Sequence, residues 1–181
     1  MFKPKAPTLL GTKQARLMEI GLRSQTLMGL LLLVALALPM HAAAADRVPL
    51  KAAETGTFQL LGPCETSGVV VDVTGSGHAT QLGNFTTHYR ECFVAATGAV
   101  TDGSFTLTAA NGDTIFGTYR GQVSPTGDST VFAYDDPGVI TGGTGRFARA
   151  SGVVDTGGVV NLATGEYSGT IAGSLTSPFS R

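Results

Sequence analysis

Five aromatic residues spaced by small ones, Phe105, Phe116, Tyr119, Tyr134 and Tyr167, are the strongest candidates for chemistry in this sequence. A wall of rings with occasional hydroxyls suits a flat apolar molecule carrying one polar group. The competing reading makes the same rings an ordinary core. No catalytic constellation stands out beside them. Ser, His and Asp all occur, but without a GxSxG elbow. His88-Tyr89-Arg90-Glu91 has the components of a proton relay and reads more simply as the polar face of a strand. Asp135-Asp136-Pro137-Gly138 offers a carboxylate pair, but a calcium loop needs more oxygen ligands at ordered spacing. A turn broken by Pro137 is the expectation there. Glu54 and Glu65 are further carboxylates with no pattern around them. Neither a metal site nor a cofactor is expected.

The elements that must position these rings read as strands. After residue 50 no stretch keeps apolar residues at helical spacing for three turns, while β-branched and aromatic runs recur between Gly, Asn and Asp. The expected strands are 57–61, 67–74, 84–95, 104–110, 114–123, 129–133 with 138–141, 150–160 and 166–175. Ser76-Gly77, Pro125-Thr126-Gly127 and Ala163-Thr164-Gly165 punctuate them as turns. Asn111-Gly112 is a two-residue hairpin signal and would place Phe116 beside Phe105 and Leu107. A bulged three-residue turn would reverse that facing. In the last strand Tyr167, Ile171 and Leu175 share a face with Gly169 and Gly173, which leaves room for a neighbouring ring or for a cavity. Helix is expected only as a turn near 146–149. Evenly spaced strands with short connections predict an all-β sandwich or closed barrel.

The first 45 residues have a different character. Residues 27–38 (LMGLLLLVALAL) are uninterruptedly apolar, after Lys3, Lys5, Lys13, Arg16 and Arg23 and before Ala42-Ala43-Ala44-Ala45. A basic lead-in, a short apolar run and small residues make a secretory signal peptide, cleaved near Ala45, with Met1 or Met18 as the start. The run is too short to span a bilayer, which takes about 20 residues. Residues 46–181 form the expected single domain, secreted or periplasmic, with no membrane span. That part carries seven Lys and Arg against twelve Asp and Glu, a net charge of −5. No basic field exists to hold nucleic acid. Cys64 and Cys92 are the only cysteines, and an even count in an exported chain favours a disulfide over a metal pair or two buried thiols.

One string carries a resemblance. Residues 140–152, ITGGTGRFARASG, resemble the signature of the allene oxide cyclase barrel superfamily, which includes the dirigent proteins, and are most similar to its small exported bacterial members. Stretches 75–87 (GSGHATQLGNFTT) and 103–121 (GSFTLTAANGDTIFGTYRG) extend the likeness. The resemblance implies an eight-stranded antiparallel closed barrel related to lipocalins, often with an apolar cavity, and a trimer as the homo-oligomer. In the motif Gly142, Gly143 and Gly145 permit tight backbone approach between two strands, and Phe147 is placed to plug a barrel end. A phosphate loop would need a following helix and a Lys. The family's catalytic residues do not carry over onto this sequence.

Three functions remain open from sequence: a barrel binding a small apolar or amphipathic molecule, an isomerase or cyclase of the allene oxide cyclase type, and a secreted structural or interaction protein with a filled barrel. A buried carboxylate or Tyr at a cavity floor favours the enzyme, a dry apolar cavity favours binding, and a filled interior favours the third.

Overall fold

The computed structural model describes residues 46–176. The expected leader, its cleavage point and the choice of start lie outside them. Eight strands run in chain order: β1 (Arg47–Pro63), β2 (Val69–Ala79), β3 (Gly83–Val94), β4 (Ala99–Ala109), β5 (Thr114–Pro125), β6 (Val131–Gly143), β7 (Gly152–Asn161) and β8 (Glu166–Thr176). Each pairs antiparallel with its neighbours in sequence. The long β1 pairs with β2 from Ala52 to Pro63 and with β8 from Arg47 to Thr57, which closes the sheet. Closure gives every strand two partners and leaves no edge to template aggregation. A 3-10 turn, Gly145–Phe147, is the helical element among the described residues.

The two ends of the barrel differ. At one end Leu50, Leu82, Leu107, Ile115, Phe147 and Leu175 are all buried and seal the interior. The glycine motif builds that seal. Gly145 has φ of 56°, where a side chain would also meet the Asp113 carboxylate. The chain can therefore turn back and drop Phe147 inward, under an Arg146 guanidinium 4.8 Å from its ring centre. At the other end the β1–β2 and β3–β4 connections rise around an opening. There Cys64 and Cys92 form a disulfide, with Cα atoms 6.0 Å apart. The bridge spans 28 residues of chain. Opening it, by reduction or by Cys64→Ser with Cys92→Ser, is expected to cost about 3 kcal/mol, as loop-closure entropy returns to the unfolded chain. Denaturant titrations with and without reductant read this directly.

Three expectations are corrected. Ser76-Gly77 lies inside β2, paired with Thr86 and Phe85, and the turn falls at 80–82. Asp135-Asp136-Pro137-Gly138 is the middle of a continuous β6 and makes no turn. Its ladder with β7 runs through Asp136↔Thr156 and Pro137↔Asp155. On the β5 side the ladder is interrupted at those two positions, so the N–H that proline lacks is not needed. The β4–β5 hairpin has three residues in its loop, with Ala109 and Asp113 paired and Gly112 at φ 87°. Leu107 therefore faces Ile115 and Thr106 faces Phe116. That extra residue turns Ile115 and Tyr119 inward and Phe116 outward, where it is 39% exposed.

Candidate functional site

Between the sealed end and the mouth the interior is open, with a cavity of about 400 Å³. Its rim is apolar, made by Leu60, Val69, Phe93, Val123, Phe132 and Leu162. These residues come from the mouth-side ends of β1, β2, β3, β5 and β6 and from the turn after β7. Polar groups converge deeper, in the middle layer of the barrel. Glu54 comes from β1, Tyr89 and Glu91 from β3, Tyr119 from β5, Tyr134 and Asp136 from β6, Thr156 from β7 and Tyr167 from β8.

Strand alternation explains why these residues meet. On β3, Phe85, Thr87, Tyr89 and Glu91 take the inner positions, and His88 and Arg90 take the outer ones. The HYRE segment is thus split across the wall. Outside, His88 Nε2 lies 3.0 Å and Arg90 3.5 Å from the Asp72 carboxylate. Inside, the Tyr89 hydroxyl donates to Glu54 Oε1 at 2.7 Å, and the Tyr119 hydroxyl donates to Glu91 Oε2. The rings of Tyr89, Phe105 and Tyr119 form one cluster with centroids 5.9–6.5 Å apart. Tyr134 reaches across to β7 and β8, where its hydroxyl occupies the space left by Gly158 and Gly169. The room that Gly169 offers therefore belongs to a neighbouring ring.

Burial sets the protonation of this layer. It pushes Glu54 up to about 7, although the Tyr89 hydrogen bond pulls the other way. It pushes Asp136 up to about 8, with the nearby charges of Glu91 and Asp135 adding to the effect. Glu91 is raised for the same first reason and is partly held back by Tyr119. All four tyrosines are raised above their usual range, chiefly by desolvation. Several polar atoms are buried without a partner: Glu54 Oε2, Asp136 Oδ1, and the hydroxyls of Tyr134 and Tyr167. Buried polar groups are ordinarily hydrogen-bonded, and three of these atoms lie against glycines of the wall, the Tyr134 hydroxyl at Gly158 and Gly169, the Tyr167 hydroxyl at Gly75 and Asp136 Oδ1 at Gly121.

Of the five aromatic candidates, Phe105, Tyr119, Tyr134 and Tyr167 line the cavity. Phe116 is not among them, and its ring lies over Gly142. Phe105 and Tyr119 also belong to the buried core, so the wall of the cavity and the core are one layer. Among the described residues no group of three or more His, Cys, Asp or Glu has the arrangement of a metal site.

The barrel matches the structure of the pterocarpan synthase dirigent protein GePTS1, with a TM-score of 0.50 at 12% identity over 78% of this chain and 96% of that one. The fold is the dirigent barrel. No family model matches the chain, and no curated protein matches it by sequence. The resemblance read from ITGGTGRFARASG and its companion stretches is thereby supported at the level of the barrel. Within this dirigent barrel the acids of the middle layer are residues that the sequence names one by one but does not bring together. Glu54 sits in KAAETG, which has no strand signature, and it enters the barrel because β1 begins ten residues before the expected 57. Asp136 was hidden by its turn-like neighbours. One signal was available: at Glu91, two positions after Tyr89, strand alternation puts both on one face.

Proposed function

We propose that the chain is an exported dirigent-type barrel that holds a small, mostly apolar molecule in its mouth-side cavity, with the molecule's polar end against the acids and tyrosines below. One observation carries this reading: a cavity of about 400 Å³ has an apolar rim, and its polar groups converge only on its inner layer. Ligand sites are commonly concave, apolar and furnished with few polar groups, in the range of about 300–1,000 Å³. The open mouth speaks against a filled barrel. Export is supported by the basic and apolar pattern of residues 1–45 and by the Cys64–Cys92 bridge, which fits an oxidising compartment. The motif's likeness to small exported bacterial barrels agrees with it.

The test uses N-phenyl-1-naphthylamine, a neutral apolar fluorophore. Its emission is expected to rise several-fold on titration with the folded protein and to saturate at one site per chain. A folded protein that produces no saturable rise overturns the reading.

A second reading, cyclase-type catalysis, is favoured by a separate observation. Burial pushes Glu54 up to about 7 and Asp136 up to about 8, so a share of each keeps its proton at neutral pH. Such acids can donate a proton to an oxygen that gains charge as a ring closes. Turnover on that reading falls as Asp136 ionises above about pH 8.

A further inference from the structure

We propose that the polar end of the molecule held in this cavity is a protonated amine, seated among the acids Glu54, Glu91 and Asp136 with its hydrocarbon part toward the mouth. The inference rests on the ligand-holding reading above and adds the charge of the ligand.

Three carboxyl groups from three strands, Glu54, Glu91 and Asp136, share the cavity. Among the described residues that line it there is no Lys, Arg or His. Glu54 is only 3% exposed and Asp136 only 8%, and each keeps one oxygen without a hydrogen-bond partner. The donors that do face these acids are phenols. Tyr89 directs its proton to Glu54 and Tyr119 directs its own to Glu91. That is the surrounding of a carboxylate, complete except for the positive charge. A buried carboxylate without a counter-ion is costly, and the group stays protonated unless a cation arrives. Burial raises Asp136 first, and the like charge of Glu91 adds to it. An ammonium group relieves that repulsion and offers up to three N–H donors to the carboxyl groups that line the cavity, in charge-assisted hydrogen bonds. Ring faces nearby add cation–π attraction, which strengthens where water is excluded. An anionic ligand meets the opposite conditions at every one of these contacts. The net charge of −5 over residues 46–181 draws cations toward the barrel in the first place.

Binding an ammonium ion to a protonated acid should release a proton, because the ion pair needs the carboxylate. A neutral alcohol of the same shape needs no such release. The experiment is therefore calorimetric titration of the disulfide-bonded protein with three probes on one ring system: 1-naphthylmethylamine, 1-naphthylmethanol and 1-naphthoic acid. At pH 7 the amine is expected to bind at least fivefold more tightly than the alcohol, and naphthoate least tightly. From pH 5 to 7 the amine's affinity is expected to rise toward about tenfold per pH unit, the slope for one released proton. Buffers of different ionisation enthalpy report that proton independently. The alcohol's affinity stays level or weakens over the same range. Glu54→Gln and Asp136→Asn are each expected to lower the amine-to-alcohol ratio at least threefold. If either variant fails to fold, the pH slope and proton release of the unaltered protein decide the matter. Alcohol binding with an amine preference below fivefold, or amine binding without proton release, overturns the amine assignment and leaves the ligand-holding reading standing. Failure of all three probes to bind overturns both.

Discussion

Raising the pH from 5 to 9 is expected to lower the melting temperature of this barrel by roughly 15 °C, on the order of 4–5 kcal/mol of stability for a domain of this size. The cause is the buried pair Glu54 and Asp136, pushed up to about 7 and about 8 by desolvation. In the unfolded chain both titrate near 4. A carboxyl whose folded pKa is raised holds its proton more firmly in the folded state. Its contribution is complete below about pH 4 and is lost as pH rises through 7 and 8. Between those limits the folded chain carries up to two more protons than the unfolded one, and the slope of stability against pH is negative. Glu54→Gln and Asp136→Asn remove the titration and keep the shape. Both are expected to raise the melting temperature at pH 9, to change it little at pH 5 and to flatten the slope between. Melts of the three proteins at pH 5, 7 and 9 check this, and stability that climbs with pH in the parent contradicts it.

Phe147→Ala is expected to cost about 4–5 kcal/mol. The ring is 1% exposed and belongs to the group that seals the barrel. Removing a buried Phe forfeits its transfer energy and leaves a hole that a closed sheet cannot collapse to fill. The loss also removes the face beneath the Arg146 guanidinium, whose remaining ties are a 3.7 Å approach to Asp113 and a 3.1 Å hydrogen bond to the Gln81 carbonyl. Substitution at exposed Val153, on the outer face of β7, is the matched control and is expected to change stability by under about 0.5 kcal/mol. Urea unfolding of the two variants separates them. Equal midpoints would mean that Phe147 seals nothing.

The eight strands were legible because turn residues fall between β-branched runs at nearly every real connection. The failures have local causes. Asp135-Asp136-Pro137-Gly138 has the composition of a turn, yet β6 runs through it because the barrel holds β7 beside it and excuses the missing N–H of Pro137 from the β5 ladder. Ser76-Gly77 misled in the same way, since Gly77 takes a position where a side chain would collide with the β1 backbone. Phe116 was misfaced by a single residue, the third in the loop after Ala109. The acids of the cavity were illegible for a different reason. A carboxylate is expected at the surface, and only barrel closure shows that the inner positions of β1, β3 and β6 aim at one another.

Because Phe147 and its neighbours stop one end of the barrel, the interior is a blind well rather than a channel. A molecule held there would have to leave by the route it entered, past the ring of Leu60, Phe93, Phe132 and Leu162. Its residence time is then governed by how far those side chains part, and the Cys64–Cys92 bridge staples the strand ends that carry two of them. A barrel built this way has one gate, and every exchange with its interior passes the rim.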